Sequence, residues 1–132
     1  MDITPWNGTT MRSFVEDVQG ATKLDSADEA ERLTRATLGT LAEGISGGQV
    51  DDLMPELPEE LRRELSGRSG QARSLDKTSF LDRVSGEITT TDLETTEDLV
   101  RGVLRTLRTW APEGQIDDTV DQLPRSISEM FG

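Results

Sequence analysis

One short stretch occurs twice, and it limits what this chain can fold into more than any other feature. Gly48-Gln49-Val50-Asp51-Asp52 is followed by Leu57-Pro58, and Gly114-Gln115-Ile116-Asp117-Asp118 is followed by Leu123-Pro124. Gly48 to Gly114 and Pro58 to Pro124 are both steps of 66 residues. The chain therefore reads as a tandem duplication, and any fold assigned to one half must suit the other. In 132 residues this leaves two units of roughly 55 residues each, a size at which a lone hydrophobic core is marginal.

Taken in order, residues 1–10 read as an N-terminal arm. Pro5-Trp6-Asn7-Gly8 forms a turn, and Trp6 is either a lid on the core or a partner contact. The first unit, 11–65, opens with Met11, Phe14, Val15 and Val18 on one helical face, and Gly20 permits the chain to turn. Ser26-Ala27-Asp28-Glu29 is a capping box. The helix it starts carries Ala30, Leu33, Thr37, Leu38 and Leu41 inward and Glu31, Arg32, Arg35 and Glu43 outward, and Ser46-Gly47-Gly48 stops it. Val50, Leu53, Met54 and Leu57 mark a short third helix. Pro58 suits the first turn of a fourth, which points Leu61 and Leu65 at the core. Residues 66–76 are Gly- and Ser-rich without periodicity, a flexible linker.

The second unit, 77–132, repeats the programme. Phe80, Leu81 and Val84 stand for Phe14, Val15 and Val18, and Gly86 for Gly20. Thr91-Asp92-Leu93-Glu94 reads as the second capping box. Leu99, Val103, Leu104 and Leu107 fall under Leu33, Thr37, Leu38 and Leu41; Ile127 and Phe131 fall under Leu61 and Leu65. The identical pairs are mostly apolar residues or turn residues, which speaks for a shared fold rather than a shared active site. No strand signal competes: Ile88-Thr89-Thr90-Thr91 is short and runs into a helix cap. The expected fold is all-α, two homologous four-helix units packed about a pseudo-twofold axis.

The doubled pattern resembles the prokaryotic family known as domain of unknown function 2267. The residues that carry the resemblance are Phe14, Gly48 to Asp52 and Leu57-Pro58-Glu59-Glu60-Leu61, then Phe80, Gly114 to Asp118 and Leu123-Pro124-Arg125-Ser126-Ile127. The likeness runs from about Met11 to Phe131. It implies an all-α fold found in bacteria and haloarchaea, and it carries no activity or catalytic residue with it. The long Ser/Gly linker and Pro112 depart from the family pattern.

Composition narrows the function. A formal charge of −12, from 26 acidic against 14 basic residues, repels nucleic acid and anionic lipid. Only Lys23 and Lys77 are lysines; the acidic, lysine-poor make-up resembles proteins of salt-loving archaea, beside the plainer reading of an ordinary acidic bacterial protein. With no Cys and no His, disulfides, thiolate nucleophiles and imidazole chemistry are excluded. The first ten residues lack a basic region followed by an apolar run, so no signal peptide is expected there. No apolar stretch approaches a membrane span. The expectation is a soluble, cytoplasmic protein.

Three groups of residues invite a functional reading. Asp51-Asp52 and Asp117-Asp118 offer oxygen ligands for a cation. Adjacent helical residues point about 100° apart, however, and the favoured reading is acidic groups at the positive end of a helix dipole. Leu57-Pro58 and the helix carrying Arg62 and Arg63 have the outline of a helix-turn-helix. The matching helix in the second unit carries only Arg125, so pairing of Arg62 and Arg63 with Glu59, Glu60 and Glu64 is favoured. Arg101, Arg105 and Arg108 form a basic stripe, with Arg32 and Arg35 as a thinner counterpart; its favoured use is docking an acidic surface within the molecule, ahead of docking a partner. No nucleophile elbow or phosphate loop occurs, and no cofactor or metal is expected. The reading is a non-enzymatic helical interaction or assembly module whose partner is another protein or itself, with nucleic acid disfavoured. The alternative is a DNA-associated or DNA-mimicking regulator.

Overall fold

The computed structural model describes residues 6–44, 63, 65, 67, 76–88, 92–111 and 114–131, residues 6–11 for their backbone only. Every regular element among them is helical: α1 (Trp6–Thr22), α2 (Ala27–Glu43), α3 (Lys77–Ile88), α4 (Leu93–Trp110), α5 (Gln115–Asp121) and α6 (Arg125–Ser128), closed by a 3-10 turn at Glu129–Phe131. The all-α expectation holds. Asp51, Asp52, Leu57, Pro58, Arg62 and nearly all of the Ser/Gly linker lie outside the described residues.

Helix α1 forms because Phe14, Val15 and Val18 recur on one face, and all three are buried. It begins at Trp6, so the second half of the expected arm is helix instead. Pro belongs as readily to a helix start as to a turn, and Pro5-Trp6-Asn7-Gly8 does not distinguish the two. The chain also does not turn at Gly20. The helix runs on to Thr22 and ends where Lys23 takes a left-handed φ of 63°, with the Lys23 N–H donating to the Gln19 carbonyl at 2.7 Å. Gly86 likewise sits two residues inside the end of α3. A helical glycine costs about 1 kcal/mol against alanine, which weakens a helix without ending one whose apolar face continues.

The caps show how closely the two halves correspond. Ser26 caps α2, its hydroxyl accepting the Glu29 N–H at 3.1 Å and donating to the Glu29 carboxylate at 3.3 Å. In the second half the cap is not Thr91 but Asp92, 66 residues beyond Ser26. Asp92 accepts the Glu94 N–H at 3.0 Å and the Thr95 hydroxyl at 2.7 Å. These two bonds, the hydroxyl's first, hold its carboxyl below the usual range. Asp76 caps α3 by accepting the Ser79 N–H at 2.8 Å, which lowers its pKa in the same way. Gly114 takes φ 87° at the start of α5, a conformation that side chains with a Cβ resist.

The four longer helices share one core. Helix α1 packs on α2 and on α4, α2 on α3, and α3 on α4. The first helix of each half thus lies against the second helix of the other. Phe14, Val18, Leu33, Leu38 and Leu65 belong to the same buried cluster as Phe80, Val84, Leu104, Leu107 and Ile127. Each such side chain contributes about 1.5–3 kcal/mol on burial, and roughly half of these come from either side of the linker. The α1–α4 crossing is tight: a Cβ at Gly102 would fall 2.6 Å from the Thr22 Cγ2. The C-terminal turn closes on α4, burying Met130 and Phe131. Ser126 on α6 accepts the Lys77 N–H at 3.2 Å, tying the start of α3 to the end of the chain.

Candidate functional site

The inward positions expected on α2 are buried, but one outward position is not. Glu43, expected in solvent, is only 7% exposed. Arg83 reaches it from α3 through both guanidinium nitrogens, one of them at 2.9 Å. That pair, with the coulombic field of Glu43 and Glu87 behind it, raises the Arg83 pKa above its ordinary value. The helical wheel of α2 alone cannot show this, because the partner arrives from the other half of the chain. At the matching place in the other half, Trp110 Nε1 donates to the Asp17 carboxylate at 2.9 Å. Its ring meets Phe14 edge-on, centroids 5.1 Å apart.

The basic stripe does not act as a unit. Arg101 donates to Glu97 on its own helix at 2.8 and 3.0 Å and to the Glu129 carbonyl at 3.3 Å. Glu97 also holds Lys77 at 2.9 Å; Lys77 first, and Arg101 after it, keep the Glu97 carboxyl below its usual range. Arg105 and Arg108 are exposed, and no ion pair joins either to another described residue. The thinner counterpart behaves alike: Arg35 pairs with Glu31 at 3.0 Å, the same i, i+4 arrangement displaced by 66 residues, while Arg32 stays exposed.

Of the remaining candidates, Arg63 is helical and exposed. Asp117 and Asp118 stand exposed in the first turn of α5 and make no side-chain cap there. Among the described residues no group of three acidic side chains gathers as a metal site would require. The helix expected over Arg125 to Phe131 is α6, four residues long and followed by the 3-10 turn, too short to lie along a DNA groove.

A hollow that the sequence did not single out lies where the halves meet. It holds about 320 Å³ and is lined by Leu24, Glu29, Arg32, Leu33, Ile88, Thr95 and Leu99. Leu33 and Leu99 are matched positions, as are Glu29 and Thr95, so the hollow is built from the same stretch of both long helices. Leu24 comes from the turn after α1 and Ile88 from the last residue of α3. The floor is apolar, and its polar groups are largely committed: Glu29 is bound to Ser26, and Thr95 donates to Asp92. The repeated leucines were the available signal. Helical periodicity placed both facing the core, but it could not show that Leu99 stays half-buried at an opening.

The family model described as "Uncharacterized conserved protein (DUF2267)" matches residues 11–130. The chain belongs to that family, as its two Gly-Gln-φ-Asp-Asp turns led one to expect. No curated protein matches it. Among the described residues no helix is long and apolar enough to cross a membrane.

Proposed function

We propose that this chain is a non-enzymatic interaction module of the cytoplasm. In this reading it is built from two homologous four-helix units, 11–65 and 77–132, packed about a pseudo-twofold axis, and it recognises a protein partner through the hollow on that axis. One observation carries the reading: the largest depression is floored by Leu24, Leu33, Ile88 and Leu99, and its lining offers no nucleophile beside a base. Apolar concavities with few polar groups are where proteins bind other molecules, and matched positions from two halves form one naturally at their junction. The reciprocal packing of α1 on α4 and α2 on α3 supports the pseudo-twofold arrangement.

The test is a pull-down from the native host with the wild-type chain, a Leu99→Gln variant and an Arg105→Ala/Arg108→Ala variant, each first checked for a cooperative melt. A specific partner retained by the arginine variant and lost by Leu99→Gln is the expected result. A partner lost only with the arginines would move the interface to the outer face of α4. Nucleic acid recovered in a salt-sensitive manner would favour the DNA-associated reading.

A further inference from the structure

The hollow has an electrostatic character as well as a shape. The residues that line it sit among acids: Asp25, Asp28, Glu29, Glu87, Asp92 and Glu94 are all exposed in the adjoining turns and first helical turns, against Lys23 and Arg32. Leu93, at the first position of α4, is the large hydrophobic side chain left exposed among the described residues. It lies two positions from Thr95 in the lining. An apolar floor, an exposed leucine at its side and an acidic surround thus occupy one end of a molecule carrying −12 overall.

We propose that the occupant of this hollow is a basic amphipathic helix of a partner protein. The inference rests on the interaction reading above and names its chemistry. The argument is charge complementarity. A second molecule of this chain would bring another −12 against the same acids, and an acidic or anionic ligand would meet the same repulsion. A cationic segment is drawn in, and the field of the whole protein adds to the local one. The volume takes two or three aliphatic side chains, the number that an i, i+3, i+4 stripe presents over one turn. Lysine and arginine stems flanking that stripe can cover Leu93 while their charged heads reach Glu94, Asp92 and Asp28.

The test is fluorescence anisotropy on the full chain with three labelled synthetic peptides. One is a Leu/Lys helix with a single apolar stripe; one is the same peptide with Glu for Lys; one has the Leu/Lys composition scrambled so that no stripe forms. The expected result is that the striped basic peptide binds at least about tenfold more tightly than either control, and that its affinity falls as salt is raised. Leu24→Gln and Leu99→Gln, each shown by its melt to be folded, should weaken it about tenfold, the loss of one anchoring side chain.

Charge is tested by removing two acids at each of two places. Asp25→Asn with Glu94→Gln should cost about fivefold, whereas Asp117→Asn with Asp118→Asn should cost under about twofold. The latter pair is on α5, which supplies no residue to the lining. Equal binding of the scrambled peptide, equal loss from both acid pairs, or folded leucine variants that bind normally would each overturn the proposal. So would preference for the acidic peptide. A groove-dependent partner whose binding segment proves acidic or extended would overturn this inference and leave the interaction reading standing.

Discussion

The two places where the halves grip each other solve one structural problem with different chemistry. At one, Arg83 on α3 clasps Glu43 at the end of α2. At the other, Asp17 on α1 accepts from Trp110 at the end of α4, and the indole covers Phe14. Position 17 corresponds to 83 and position 43 to 109, next to Trp110. The tether therefore stays in place while its residues change. A duplicated scaffold fixes where two helices must be joined, and each half is free to join them with charge or with aromatic surface. The consequences differ, because an ion pair gives up most of its Coulomb energy to desolvation, whereas an indole adds apolar area along with its hydrogen bond.

The largest effect should therefore come from the aromatic clasp. Trp110→Ala removes the edge contact to Phe14 and the bond to Asp17 together. Trp110 is only partly buried, so the loss falls below that of a core tryptophan, at about 2 kcal/mol, read as a lower urea midpoint. Its size should not change between low and molar salt. Glu43→Gln comes next, at about 1–2 kcal/mol, because it leaves Arg83 without its charged partner while that side chain, 34% exposed, recovers some hydration. This loss should shrink as salt rises. Equal salt response in the two variants would break the comparison, since both ends would then be held by the same force.

A third contrast lies inside the core. Thr37 is fully buried on α2 and its hydroxyl has no hydrogen-bond partner, whereas Thr34 and Thr40 on the same helix donate back to the Ala30 and Ala36 carbonyls. The matched position in α4 is Val103, also fully buried. Thr37→Val should thus stabilise the protein by about 1 kcal/mol, by removing an unpaid desolvation cost without changing the side chain's shape. A thermal melt that moves down instead would show that the hydroxyl is satisfied in solution.

What could be read from the sequence was whatever lies within one helix. Phe14, Val18, Phe80 and Val84 announced their buried faces by spacing alone, and the 66-residue offset located the Asp92 cap better than the motif starting at Thr91 did. What could not be read depends on how helices meet. Glu43 looks solvent-facing on its own helix and is covered only because α3 crosses it. Leu24 and Ile88 sit at helix ends where periodicity has no opinion, so the hollow they help to line had no signature. Arg101, Arg105 and Arg108 shared a face as expected, but charge partners on Glu97 and the C-terminal turn divided them.

The smallest effect separates two otherwise matched ion pairs. Glu31 holds Arg35 and Glu97 holds Arg101, both across one helical turn, but Glu97 has a second cation, Lys77, where the first half has Met11. The folded-state pKa of Glu97 is lowered by these neighbours. Its contribution to stability is therefore fully present above the unfolded-state value of about 4.3. Below that value the unfolded chain binds the proton first, and the contribution is lost as the pH falls through the folded-state pKa. Glu97→Gln should cost under about 1 kcal/mol at neutral pH, as partly exposed pairs do, and nothing once the pH lies below both values. Glu31→Gln should cost less, since it gives up one cation rather than two. The measurement is a pair of urea melts at neutral pH and near pH 3 for each variant. A Glu97→Gln loss that persists undiminished in acid would mean that the side chain acts by packing between α3 and α4 and not by its charge.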